Sequence, residues 1–186
     1  MGVKEIFDEA TRKMDKAVEV FRHELTKLRT GRASVSLLED VKVDYYGTPT
    51  PINQVATLTA PEPRLLVVQP WDASQISAIE KAILSSDLGL TPTNDGKVIR
   101  IQIPQPTEER RRELVKVAKR YAEECRVAIR NCRRDANEAL KRLEKEKEIS
   151  QDDLKKAQQR IQEITDKEIA RVEDVLSAKE QEIMEV

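Results

Sequence analysis

The chain has 186 residues, a formal net charge of −1, 36% charged residues and 3% aromatics. That length suits one domain or two small ones, and so much charge with so few rings predicts long exposed helices rather than a compact sandwich. The composition excludes a uniformly basic nucleic-acid binder. No run nears membrane-span length and no amino-terminal stretch has the apolar region of a secretory signal, so the expected compartment is the cytoplasm, with no membrane partner.

Residues 3–29 predict an amphipathic helix, because Ile6, Ala10, Met14, Ala17, Phe21, Leu25 and Leu28 recur at spacings of three and four. Thr30-Gly31 is a helix-stop signal. The texture then changes: all eight prolines lie between Pro49 and Pro106. Val41 to Tyr45 alternates with period two, Val98 to Ile103 does so in part, and Leu65 to Val68 is a short apolar run, which are strand signals. Tyr46-Gly47-Thr48-Pro49 and Asn94-Asp95-Gly96 are turn signals. Ile76, Ile79, Ala82 and Ile83 give one short helix, opened by Asp72-Ala73-Ser74. Residues 31–105 thus predict a small α+β domain inserted into a helical one.

Pro104-Gln105-Pro106 closes that insert, and Thr107 can cap a second long helix with Glu108 and Glu109 in its first turn. This helix runs to about Lys147 without Gly or Pro, on the order of 60 Å. Ala118, Ala122, Cys125, Ile129, Cys132, Ala136, Ala139 and Leu143 follow a strict 4-3-4-3 spacing, the seam of a coiled coil. Cys125 and Cys132 are two turns apart, roughly 10 Å, too far to bridge, and without a CxxC pair they predict core thiols and no metal site. Ser150 caps a third helix, with Asp153 in the reciprocal position and Ile149 and Leu154 placed to form a hydrophobic staple. Its buried stripe is Leu154, Ala157, Ile161, Thr165, Ile169, Val172, Leu176 and Ile183.

The expected fold is therefore α+β: a long antiparallel three-helix bundle from residues 1–30 and 106–186, carrying the insert 31–105. The insert leaves and returns through Thr30, Gly31 and Arg32 and through Pro104, Gln105, Pro106 and Thr107. These two short crossings must lie side by side, and they predict a hinge.

Charge is unevenly placed along this plan. Residues 107–147 hold 14 Lys/Arg against 9 Asp/Glu, whereas residues 148–186 hold 6 against 11. With Arg126 at zero and about 100° per residue, Arg112, Lys119, Arg126, Arg130 and Arg133 fall between about −20° and +40°, and Lys116 and Arg134 near +80°. The seam lies near −80° to −100° and Glu113, Glu124, Asp135 and Glu138 lie beyond about +120° by the same geometry. A cationic stripe thus runs beside the seam. A second group, Arg29, Arg32, Arg110, Arg111 and Arg112, sits at the crossings. Such a face can be merely solvated, or paired with the acidic third helix. Its preference for Arg suits forked phosphate recognition, and an RNA or DNA backbone would explain both groups. So few aromatics argue against base stacking and leave phosphate and shape recognition.

No catalytic constellation is expected. Five glycines leave little room for a phosphate-cradling loop. His23, the one histidine, has no partner at nucleophile–base spacing. Asp152 and Asp153 are explained by helix capping, and Trp71 reads as core or rim of the insert.

Five segments together resemble the ribosome recycling factor family: Leu28-Arg29-Thr30-Gly31-Arg32-Ala33-Ser34, Val43-Asp44-Tyr45-Tyr46-Gly47-Thr48-Pro49, Ser86-Asp87-Leu88-Gly89-Leu90, Thr107-Glu108-Glu109-Arg110-Arg111 and Arg130-Asn131-Cys132-Arg133-Arg134. The resemblance runs end to end. It implies a three-helix bundle and a hinged β/α/β domain in an L resembling tRNA. It implies a cytoplasmic, monomeric translation factor, not an enzyme and without cofactor. Such a factor acts with elongation factor G to split the post-termination 70S-type ribosome, the partner hydrolysing GTP. It implies large-subunit rRNA contacts at Arg130 and Arg133, with Arg29 a further candidate. Joined with the two cationic groups, the expected rRNA-binding set is Arg29, Arg110, Arg126, Arg130, Arg133 and Arg134. Cys125 and Cys132 depart from the Ala, Gly, Val or Ile expected there, yet remain small and seam-facing. Two other classes stay open: a coiled-coil adaptor, and a ribosome-independent RNA-binding protein.

Overall fold

The computed structural model describes residues 2–28 and 30–185. In chain order the elements are α1 (Val3–Thr26), β1 (Lys42–Tyr45), β2 (Thr48–Pro51), β3 (Ala56–Glu62), β4 (Leu65–Pro70), α2 (Ile76–Ser85), β5 (Pro92–Asn94), β6 (Ile99–Gln102), α3 (Glu108–Lys145) and α4 (Gln151–Met184). They form two compact units, Met1–Leu28 with Arg111–Glu185, and Arg29–Arg110.

The first unit is the bundle of α1, α3 and α4. On α1 the buried stripe is Ile6, Ala10, Met14, Val18, Phe21 and Leu25; Val18 takes the core position expected of Ala17, which is half-buried. On α3 the strict 4-3 seam is corrected. Leu114 and Leu140 are buried and Cys132 and Ala139 are only half-buried, so the stripe runs 114, 118, 122, 125, 129, 136, 140, 143. That progression stays close to the 3.6-residue turn of a straight helix and does not hold the 3.5-residue repeat that supercoiling needs. Hollows lined by Phe21, Glu24 and Tyr121 at one end and by Ile6 and Ala139 at the other set α1 antiparallel to α3. Arg126–Glu173 and Arg133–Gln162 contacts set α4 antiparallel to α3 as well.

The turn between α3 and α4 is specified at both ends. Lys147 adopts φ 62°, its N–H donates to Glu144 O at 2.9 Å and the Glu148 N–H donates to Leu143 O at 2.9 Å. This is the paired hydrogen bonding that closes a helix on a left-handed residue. It ends α3 two residues before the expected Lys147. Asp153 N–H then donates to Ser150 Oγ at 3.0 Å and Ser150 N–H to Asp153 Oδ2 at 3.2 Å, the reciprocal cap. Ile149 and Leu154 pack, half-buried, on the bundle core.

The second unit has a four-stranded antiparallel sheet, order β3-β4-β6-β5, a two-stranded β1-β2 hairpin, and α2. Its core joins Leu38, Val43, Ile52, Leu66, Val68, Ile79, Ile83, Ile99 and Ile101. The hairpin turns through Tyr46 and Gly47, both at positive φ (50° and 81°), with Tyr45 paired to Thr48. This is the two-residue turn whose twist matches that of its strands. β2, β3 and β5 carry no strand signal in the sequence. Each contains proline and each lies at a sheet edge, where a missing N–H breaks no ladder. Asp72 accepts from Ser74 N–H at 3.0 Å and opens the turn into α2.

Candidate functional site

The cationic stripe of α3 is not uniformly free. Arg126 is mostly covered, its side chain 19% exposed. Its Nε and Nη2 both reach Glu173 Oε1 of α4 at 2.7 Å, and its Nη1 reaches Glu123 Oε2 at 2.9 Å. The hydrogen bond it donates to Glu173 holds the Arg126 pKa above its ordinary value against the cost of partial burial. Arg126 therefore ties α3 to α4, and all three of its guanidinium nitrogens are engaged.

Arg130 is 43% exposed and its Nη1 lies 3.3 Å from Glu123 Oε1. Arg133 donates to Gln162 Oε1 of α4 at 3.4 Å, and Gln162 in turn donates to Asp166 Oδ1 at 2.8 Å. Arg134 is exposed on the same stretch. The four acids placed off this face in the sequence are joined by others that enter it. Glu123 projects at about +60° on the same wheel, inside the stripe, and Glu173 enters from α4. The stripe thus runs from the ion-paired, mostly covered Arg126 through the half-buried Arg130 and Arg133 to the exposed Arg134.

Of the second cationic group, Arg29 lies outside the described residues. Arg32 and Arg110 are exposed, and Arg111 is half-buried. Thr107 Oγ1 accepts from the Arg110 N–H at 3.1 Å and so opens α3 as the sequence predicts. The crossing residues pack within the second unit. Thr30 is buried, and Gly31, at φ +83°, lies against the Pro106 ring. Ala33 N–H donates to Pro63 O at 2.6 Å, Ile103 N–H to Arg64 O at 2.8 Å, and Arg64 Nη1 to Gln105 Oε1 at 3.2 Å. The residue between two anchored strand ends, Arg64, thereby fixes one crossing while Pro63 holds the other.

The remaining chemistry-bearing side chains have structural settings. His23 is exposed on α1, and its carbonyl accepts from Thr26 Oγ1 at 2.6 Å. Trp71 lies at the rim, 65% exposed, its Nε1 donating to Thr57 Oγ1 at 2.8 Å. Cys125 is buried, its thiol pushed up to about 11 by that burial, and it donates to Ala17 O at 3.4 Å. Sequence reasoning missed Glu168, which is buried between α1 and α4. Arg171 reaches it at 2.9 Å and Asp15 at 2.7 Å. Its place in the stripe between Thr165 and Val172 is the signal that could have found it. Among the described residues no group of three or more His, Cys, Asp or Glu is placed to hold a metal ion, and no helix is long and apolar enough to cross a membrane.

Residues 21–184 match the family model described as ribosome recycling factor. The chain is 56% identical over 186 residues to the ribosome-recycling factor of Nitratidesulfovibrio vulgaris, covering 100% of both. It is 58% identical over 184 residues to that of Carboxydothermus hydrogenoformans, covering 99% of this chain and 100% of the relative. A solution structure of the ribosome recycling factor superposes with a TM-score of 0.77 at 46% identity, covering 100% of this chain and 99% of the other. A second structure, of models for the T. thermophilus ribosome recycling factor and the E. coli elongation factor G bound to the E. coli post-termination complex, gives 0.68 at 52% identity and covers 100% of both chains. The match spans both units and both crossings, and the chain belongs to the ribosome recycling factor family.

Proposed function

We propose that this chain, with elongation factor G and GTP, dissociates the post-termination ribosome into subunits so that it can be reused. The bundle, residues 1–30 and 106–186, is the anchor. It holds large-subunit rRNA phosphates through Arg130, Arg133 and Arg134, with Arg110 and Arg29 contributing near the crossings, and Arg126 stiffens the α3–α4 face behind them. The insert, residues 31–105, is the part that moves, driven by the partner about Thr30, Gly31, Arg32 and Pro104 to Thr107. GTP is hydrolysed by the partner, and this chain contributes no covalent step. It works as a monomer in the cytoplasm on 70S-type ribosomes.

The observation that carries this reading is the run of partly exposed to exposed arginines on α3, Arg130, Arg133 and Arg134, within a family match over residues 21–184. A guanidinium offers the planar donor fork that phosphate oxygens accept. The adjoining hinge reading is supported by the division of the chain into two compact units beside the crossings, after Leu28 and before Arg111.

The test is ribosome co-sedimentation across a salt series together with subunit splitting, comparing Arg133→Ala with the unaltered protein. Loss of one phosphate contact is expected to weaken binding and lower the salt slope by about 1. Unchanged affinity, slope and splitting would remove Arg133 from the anchor. Duplex RNA as a control separates the alternatives. A general RNA binder holds it as tightly as ribosomes, and an adaptor shows no salt-sensitive binding to either.

A further inference from the structure

Glu123 reaches into the α3 stripe, and both its oxygens are used. Oε2 takes Arg126 Nη1 at 2.9 Å and Oε1 takes Arg130 Nη1 at 3.3 Å. The two ends differ. Arg126 is further clamped by Glu173 and mostly covered, whereas Arg130 is 43% exposed and makes the longer contact. A carboxylate between two guanidinium groups occupies donors that a phosphate would use.

We propose that Glu123 is a built-in competitor for the RNA phosphate at Arg130, a positioning residue that limits how tightly the anchor holds. This rests on the function proposed above, in which Arg130 contacts rRNA. In the free protein Glu123 points the Arg130 guanidinium along the stripe and partly neutralises it. When a phosphate arrives, the longer Arg130 contact breaks first and Glu123 stays on Arg126. Its negative charge then remains beside the bound phosphate and opposes it. A factor that must leave the ribosome after each round gains from such an opposing charge, because interface changes act mainly on dissociation rate. Glu123 is 54% exposed, so its removal leaves no buried charge behind. Arg126 keeps its stronger partner, Glu173.

The experiment measures ribosome affinity and dissociation rate for Glu123→Gln, Arg130→Ala and the double variant at fixed salt, with Glu123→Ala as a second removal of the charge. Thermal unfolding confirms that each stays folded. One exposed charge next to a phosphate is worth roughly three- to tenfold in affinity. Glu123→Gln and Glu123→Ala should bind tighter by that factor, through slower dissociation, and multiple-turnover splitting should fall. In the Arg130→Ala background the gain should vanish. If Arg130→Ala weakens binding but both Glu123 variants bind as the unaltered protein does, the competitor role is wrong while the anchor stands. A Glu123→Gln gain that persists without Arg130 also overturns it, since the acid would then be acting as distant repulsion. If Arg130→Ala leaves binding unchanged, the anchor itself is wrong and the competitor falls with it.

Discussion

A Cβ on Gly31 would stand 2.2 Å from Cδ and 2.9 Å from Cγ of Pro106. The two crossings of the insert therefore meet at a point with no room for a side chain. Gly31 also sits at φ +83°, which a side chain makes costly in its own right. Gly31→Ala should lose about 2 kcal/mol from strain and displacement of the proline ring together. Pro106→Ala in the same background should restore part of that loss, because it removes the obstructing ring but not the φ strain. Thermal unfolding of the two single variants and the double variant reads both effects. Additive losses would mean that the two residues do not touch in solution.

Arg126 and Arg133 should behave oppositely. Arg126 is mostly covered and joins α3 to α4 through Glu173, so Arg126→Ala should cost about 1 kcal/mol of stability. Arg126→Lys should recover little of it, since an ammonium group cannot present donors to Glu173 and Glu123 at once. Arg133 makes a single 3.4 Å contact with the neutral Gln162, so Arg133→Ala should leave the denaturant midpoint unchanged while it weakens ribosome binding. A stability loss at Arg133 as large as at Arg126 would contradict this division.

Glu168 gives the bundle a pH dependence. Burial raises its pKa above the ordinary 4.5, and the neighbouring Asp15 carboxylate adds to that, against the pull of Arg171. The folded state thus favours protonated Glu168. Its contribution is full below the ordinary glutamate value and is lost as pH rises through the raised one. Glu168→Gln keeps the shape, can donate to Asp15, and can still accept from Arg171. It should raise the unfolding temperature at pH 7 to 8, and the advantage should disappear near pH 4, where glutamate also carries its proton. An advantage that does not depend on pH would point to packing rather than charge.

The bundle was readable in the sequence because its signals are local. Ile6 to Leu25 and Ala157 to Ile183 keep helical spacing, and Ser150 with Asp153 marks a start that the structure reproduces. In the insert, α2 and the strands with alternating or apolar residues, β1, β4 and β6, were read. β4 and β6 pair with each other in mid-sheet, whereas β2, β3 and β5 are edge strands whose prolines read as loop. At the site, the angular wheel located the arginines of α3 because they share one helix. It could not show that Glu173 lies opposite Arg126, a pairing across 47 residues. Glu168 stayed hidden for the same reason. A charged residue in a buried stripe is legible as an exception, but its partner Asp15 lies 156 positions from Arg171, which joins them.

Lys147 offers a gain in stability. It holds φ 62° at the close of α3, where the Lys147 and Glu148 N–H groups take up the carbonyls of Glu144 and Leu143. Glycine usually fills that position because a Cβ disfavours left-handed backbone, by about 1 kcal/mol or more. The Lys147 side chain is exposed, so Lys147→Gly removes no packing. The greater freedom glycine has in the unfolded chain offsets part of the benefit. The net expectation is about 0.5 kcal/mol of added stability. Lys147→Ala should give no such gain, because alanine keeps the Cβ. The pair separates backbone strain from loss of a lysine charge near the helix end. If both variants shift the unfolding midpoint equally, the charge is responsible and the left-handed turn is not strained.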